Sequence, residues 1–202
     1  MLAVVHGLAS LDLHLTEETA ELRWGPATSA FILLSAWWVK GPLLIGAAWA
    51  SDLRRRAALP LAGASATLAF LLAAAVGGVL KALFERPRPP LQTSEIHPAV
   101  SIPSSASFPS GHAITAFAAA SAIAVLCPRL RWPALVLAAL VAFSRVYLGV
   151  HFWLDIVAGA ALGSVIGVAI ALALRRAAGP GATIPERWPS HRFPGDQVRG
   201  SS

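Results

Sequence analysis

LPLAGASATLAFLLAAAVGGVLKALFERPRPP, residues 59–90, decides the fold. No charged side chain interrupts it from Leu59 to Leu80, and Ala, Gly and Leu dominate. An α-helix needs roughly 20 such residues to cross a hydrocarbon core of about 30 Å. Residues 59–83 are therefore read as a membrane-crossing helix, and Gly63, Gly77 and Gly78 as places where a neighbouring helix can come close. The run ends abruptly at Lys81, Arg86 and Arg88, among prolines that cannot continue a helix.

The same texture recurs along the chain. Over 202 residues, 56% are hydrophobic and 13% charged, and the mean hydropathy is +0.65. This excludes an ordinary soluble domain and predicts an all-α, polytopic membrane helix bundle. Five spans are read: residues 27–50, 59–83, 109–126, 134–147 and 151–174. An amphipathic helix precedes them in residues 1–26, lying at the membrane surface. No basic stretch precedes an apolar core there, so a cleaved signal peptide is not expected. Residues 1–176 form one membrane-embedded domain; residues 177–202, rich in Pro, Gly and Arg, form a disordered basic cytoplasmic tail. No internal repeat is visible.

The single Cys127 excludes an internal disulfide and a cysteine metal cluster. The formal charge of +6 is carried by arginines in turns and the tail. Beside membrane spans these read as topology determinants facing anionic lipid, so nucleic acid is not a predicted partner. Arg54, Arg55, Arg56, Arg129, Arg131, Arg175 and Arg176 fall on one side of a five-span chain, which makes that side cytoplasmic. The N-terminal segment, the 85–108 loop and the 148–151 turn then share the outer side. Trp49 and Trp132 suit one interfacial belt, and Trp24 and Trp153 the other.

Three polar clusters punctuate span ends on that outer side: Lys81 with Arg88; Ser110, Gly111 and His112; and Arg145, His151 and Asp155. Each has a plain reading alone, as a snorkelling lysine, a helix start capped by Ser110, or a surface ion pair. Together, three cations, helix-start amides and a hydroxyl make a site for a phosphate group. His151 and Asp155 stand four apart, on one face of a helix. A carboxylate there can hold one imidazole nitrogen as N–H and leave the other free to attack. The two histidines supply a nucleophile and a proton donor. Lys40, beside Gly41 and Pro42 in the middle of the first expected span, reads as lining a cavity inside the bundle, because a charge at that depth is costly. Gln92, Glu95 and His97 lie on the one long loop and are candidates for substrate selection.

These motifs resemble those of the type 2 phosphatidic acid phosphatase family of membrane lipid phosphatases. The family pattern is Lys, six residues, Arg-Pro; Pro-Ser-Gly-His; then Ser-Arg, five residues, His, three residues, Asp. Here it falls on Lys81 to Arg88-Pro89, Pro109 to His112, and Ser144-Arg145 to His151 to Asp155. The resemblance implies that His151 is the nucleophile, that Asp155 orients it, and that His112 is the general acid and later the base. It implies that Lys81, Arg88, Ser110, Gly111 and Arg145 hold the phosphate oxygens. It also implies a metal-independent hydrolase with no cofactor, whose partners are a lipid phosphate and the surrounding membrane lipids. Polyprenyl diphosphate such as undecaprenyl diphosphate is the favoured substrate; phosphatidylglycerophosphate, phosphatidate and lipid A phosphate compete. The Arg-rich composition points to a bacterial inner membrane with the site facing outward. A phospholipid-binding or transport protein is the alternative class, disfavoured because both histidines are present. Vanadate-dependent peroxidase chemistry is disfavoured because such relatives are soluble.

Overall fold

The computed structural model describes residues 2–179, so the expected tail lies outside the described residues from 180 onward. Among the described residues, seven α-helices run in order: α1 (Leu2–Glu21), α2 (Gly25–Leu34), α3 (Pro42–Arg54), α4 (Leu61–Phe84), α5 (Gly111–Leu126), α6 (Arg131–Tyr147) and α7 (Trp153–Ala177). There is no strand among the described residues.

Three stretches are long and apolar enough to cross a membrane, Leu61–Leu91, Pro128–Tyr147 and Trp153–Ala177. Two of the expected spans are built differently. The stretch 27–50 is two helices, because Gly41 adopts φ −153°, ψ −58°, off the helical region, and Pro42 starts α3 without an N–H to donate. A side chain on Gly41 could not fit, since its Cβ would stand 2.0 Å from the Phe70 ring. Lys40 thus sits in an irregular turn, not mid-helix. The other is α5, only 16 residues long, with 11 of them buried. It is wrapped by α4, α6 and α7. A helix enclosed by protein does not have to match the lipid thickness.

Helices α5 and α7 run parallel in close contact. Gly159, Gly163 and Gly167 of α7 face the backbone of α5, at Ser110–Ile114, Ile114–Ala118 and Ala118–Ala122 in turn. The glycine seam predicted for α4 is secondary: Gly63 meets Trp49, Gly77 meets Ile114 and Gly78 meets nothing.

Helix α1 lies within the 1–26 segment read as a surface helix and ends at Glu21. It packs on α6 and α7, with Asp12 and Thr16 turned inward and buried. Trp153 donates to Thr19 Oγ1 at 3.0 Å, and Trp24 N–H donates to the Tyr147 hydroxyl at 2.9 Å. At the opposite end of the bundle, Asp52 accepts from Gly63 N–H at 2.8 Å, and Ser51 lies 3.5 Å from Cys127. These contacts gather the ends of α3, α4 and α5, with Arg54–Arg56 and Arg129 nearby in sequence. The three polar motifs lie at the other end.

Candidate active site

Two helix starts build the floor of the site. Ser110 N–H donates to the Asp155 carbonyl at 3.0 Å, which ties the beginning of α5 to the first turn of α7. Both positive dipole ends, and the free amides at the start of α5, therefore point to one region. Ser110 occupies the N-cap position, but its side chain makes no capping bond. Its Oγ is buried with no hydrogen-bond partner among the described residues, so capping does not account for it.

His151 sits in the turn between α6 and α7 and is 2% exposed. Gly149, at φ +74°, makes this turn possible. The His151 Nδ1–H donates to Asp155 Oδ2 at 3.2 Å. On the other side of the ring, Nε2 accepts from Arg88 Nη1 at 3.1 Å. These contacts define the tautomer: hydrogen on Nδ1, lone pair on Nε2. Burial pushes the imidazole down to about 4, outweighing the pull of the Asp155 carboxylate, while Arg88 and Arg145 push the same way as burial. At neutral pH the ring is uncharged, and its Nε2 lone pair can meet an electrophile once Arg88 turns from it to a phosphate oxygen.

Arg88 is buried and held by the carbonyls of Val150 at 2.7 Å and Ser105 at 2.9 Å. Lys81 Nζ donates to the carbonyls of Ala106 and Ser107, and its Cε lies 3.8 Å from where a Gly111 Cβ would stand. Arg145 is 5% exposed, and its Nε has no partner among the described residues. It lies within electrostatic reach of Lys81, Arg88, His112 and His151. A buried guanidinium with no carboxylate is costly unless an anion arrives to meet it. His112 Nε2 donates to the Ser35 carbonyl at 3.1 Å, and Ser35 Oγ lies 2.8 Å from Ser144 Oγ. The α2–α3 turn thus forms a wall beside His112, and Lys40 on that turn is within electrostatic reach of both His112 and Arg145.

The structure therefore brings together Lys81, Arg88, Ser110, Gly111, His112, Arg145, His151 and Asp155, with Lys40 at the edge. It does not bring in Gln92, Glu95 and His97. All three are exposed; Gln92 folds back on the Pro87 carbonyl at 3.1 Å, and His97 contributes only its carbonyl, to Arg23. A cavity of about 500 Å³ opens beside the cluster, lined by Lys81, Arg86, Arg88, Ser105, Leu91 and Ile102.

Three participants escape a reading of the sequence. Ser107 is fully buried; its hydroxyl donates to Asp155 Oδ2 and lies 3.3 Å from His151 Nδ1. Arg86 bonds Asp155 Oδ1 at 2.7 Å and Asp12 Oδ2 at 2.7 Å. Asp12, on α1, is the third. Only Arg86 carries a signal, as a second arginine in the Arg-Pro-Arg-Pro run; Ser107 and Asp12 stand far from His151 in sequence and match no spacing rule.

An all-helical membrane bundle with a buried His–Asp pair and three cations gathered beside two helix starts is the class of protein defined here. Residues 62–178 match the PAP2 superfamily, and the chain belongs to that family. Its fold is similar to the crystal structure of a transmembrane PAP2-type phosphatidylglycerolphosphate phosphatase from Bacillus subtilis, with a TM-score of 0.71, 28% identity, and coverage of 86% of this chain and 90% of that one. In sequence it is 34% identical over 105 residues to an undecaprenyl-diphosphatase of Sulfolobus acidocaldarius, covering 52% of this chain. It is 37% identical over 121 residues to a decaprenylphosphoryl-5-phosphoribose phosphatase of Mycobacterium tuberculosis, covering 58% of this chain. The matches span 51% and 62% of those two relatives, less than two thirds of either. The protein is an integral membrane protein.

Proposed function

We propose that the chain is a lipid phosphatase that cleaves a phosphomonoester or diphosphate through a phosphohistidine at His151. The observation that carries this is the His151 ring itself: Nδ1 bonded to Asp155 and the Nε2 lone pair turned to Arg88, within reach of the Arg145 guanidinium, whose Nε has no partner among the described residues. In the first half-reaction the Nε2–P bond forms, the bond from phosphorus to the leaving oxygen breaks, and His112 gives that oxygen a proton. In the second, water forms the new O–P bond, the Nε2–P bond breaks, and the water's proton goes to His112. Lys81, Arg88, Arg145, Ser110 and the Gly111 amide hold the equatorial oxygens, where charge is spread in the transition state. Residues 1–176 act as one domain.

The favoured substrate is a polyprenyl diphosphate or polyprenyl-linked phosphate, in keeping with the two curated relatives. Lys40, on the α2–α3 turn and within electrostatic reach of Arg145 and His112, would meet a second phosphate. Gln92, Glu95 and His97 have no such placement, and selection by them is not supported by geometry. A panel of polyprenyl diphosphate, phosphatidylglycerophosphate, phosphatidate and lipid A phosphate in detergent, scored for phosphate release, tests the proposal. Release is expected from all to some degree and fastest from the polyprenyl diphosphate. Silence across the panel would overturn it.

The active site faces the outside of a bacterial inner membrane. The arginine-bearing turns after α3 and α5 support this, since they stand at the end opposite the site. Glu95→Cys, at an exposed loop position, is expected to react with a membrane-impermeant maleimide in intact cells, against a background in which Cys127 is buried. Labelling only after lysis would reverse the orientation.

A further inference from the structure

We infer that Arg86 is a positioning residue for the Asp155–His151 pair, and that Asp12 of the N-terminal helix holds it in that role. The inference rests on the phosphohistidine reading above and deepens it. Arg86 presents two nitrogens to two buried carboxylates: Nη1 to Asp155 Oδ1 and Nη2 to Asp12 Oδ2, both at 2.7 Å. Its guanidinium carbon stands 4.0 Å from the centroid of the Phe152 ring, which covers the face of the planar group. Asp12 is itself anchored, since its Oδ1 accepts from Leu154 N–H at 2.9 Å. Asp155 is then fully occupied: Oδ2 takes His151, Ser107 and the Phe152 N–H, and Oδ1 takes Arg86. Asp12 lies outside residues 62–178, the part that matches the family. A helix beyond that match thus reaches the carboxylate that orients the nucleophile.

The chemistry gives this contact a task beyond packing. After the first half-reaction the ring carries a phosphoryl group on Nε2 and a hydrogen on Nδ1, so it is a cation facing Asp155. Breaking the Nε2–P bond returns an electron pair to Nε2, which is easy while Nδ1 keeps its hydrogen. With the Arg86 cation on Oδ1, the carboxylate stays ionised and the hydrogen stays on Nδ1. Without it, Asp155 draws that proton, and the neutral phosphoimidazole left behind hydrolyses slowly. Arg86 therefore serves the second half-reaction more than the first. The negative charge of Asp12 keeps the guanidinium in place and prevents it from swinging to the incoming phosphate.

The test uses the full chain, with whichever lipid phosphate of the panel the wild type cleaves fastest, radiolabelled in the phosphate. Arg86→Gln is expected to lower kcat roughly tenfold to hundredfold, the range seen when a partner that orients an active imidazole is lost. KM is expected to fall along with kcat, leaving kcat/KM nearly level, because slowing only the breakdown of a covalent intermediate lowers both together. Label should build up on the protein under an alkaline quench and vanish in acid, as phosphohistidine does. Asp12→Asn should move the same readouts in the same direction by less. Arg86→Lys should restore only part, because one ammonium cannot bridge both carboxylates at these positions. An unchanged kcat in folded Arg86→Gln, or a raised KM with kcat intact, would overturn the inference. So would a lowered melting temperature with normal kcat per folded molecule, which is a structural role alone. If Arg86→Gln does not fold, Asp12→Asn decides by the same label. A wild type that releases no phosphate removes the phosphatase reading and this inference together; a turning-over wild type with an unaffected Arg86→Gln removes only the inference.

Discussion

His151→Ala is expected to eliminate phosphate release, by roughly 10⁴ to 10⁶-fold, as loss of a covalent nucleophile does elsewhere. The variant should still fold. His151 is bonded by Arg88, Ser107 and Asp155, and alanine leaves a polar pocket that water can fill. The acid limb of the wild-type pH profile is a second reading of the same atom. Nε2 attacks only when it bears a lone pair, so activity should fall as pH drops through the His151 value. Burial sets that value at about 4, well under the 6.5 or so of a free imidazole. The profile of kcat/KM, which reports the free enzyme, should therefore show no acid limb in the pH range where an exposed histidine would titrate; a fall on the alkaline side would belong to the His112 proton. An acid limb near the free-imidazole value would mean that the nucleophile is not buried as described. Wild-type turnover in His151→Ala would remove the phosphohistidine altogether.

Much of this site is legible in the sequence because its residues sit at helix ends, where spacing is set by helical geometry. His151 and Asp155 at i and i+4, and Ser110 to His112 at a helix start, need only one local element each to be placed. The clustering of Lys81, Arg88 and Arg145 is legible because polar residues in so apolar a chain have few places to go. Arg86, Ser107 and Asp12 are not legible for the complementary reason. Each meets Asp155, directly or through a partner, across 48 to 142 residues of chain, and long-range contacts follow no period. In the fold, the apolar runs announce α4, α6 and α7. The break at Gly41-Pro42 is visible as a proline, but whether it kinks one helix or divides two depends on the Phe70 ring against Gly41. The glycines of residues 59–83 predict close helix packing there, but the tightest helix pair is elsewhere. It lies in α7 because only there do three glycines repeat every four residues, stacking on one face.

Gly163→Ala is expected to be, with Gly167→Ala, among the most damaging alanine substitutions at the glycines of the bundle. A Cβ built there stands 2.2 Å from the Ile114 carbonyl oxygen and 3.1 Å from the Ala118 nitrogen, whereas ordinary contact begins at 3.4 Å. The neighbour is backbone, so no rotamer change can relieve it; α5 and α7 must part by about an ångström. Small-residue seams of this kind drive helix association in lipid, where there is no hydrophobic force to hold two helices together. Overpacking costs typically run to about 3 kcal/mol, and the effect should appear as a lowered melting temperature in detergent. The same shift has a chemical consequence. One turn away, Ser110 N–H bonds the Asp155 carbonyl, and a Cβ at Gly159 would stand 3.0 Å from the Ser110 carbonyl oxygen. Parting the helices therefore moves Ser110, Gly111 and His112 relative to His151 and Asp155. A displacement of about 1 Å between reacting groups can cost on the order of 10²-fold, so kcat per folded molecule should fall as well. Gly78→Ala is the matched control, because nothing lies within 4 Å of its Cβ, and alanine in a helix is favoured over glycine by up to about 1 kcal/mol. It should melt no lower than the wild type and keep its activity. If Gly163→Ala melts and turns over like Gly78→Ala, the α5–α7 seam does not set the geometry of the site, and the alignment of its two helix starts must come from the Ser110–Asp155 bond and the loops above it.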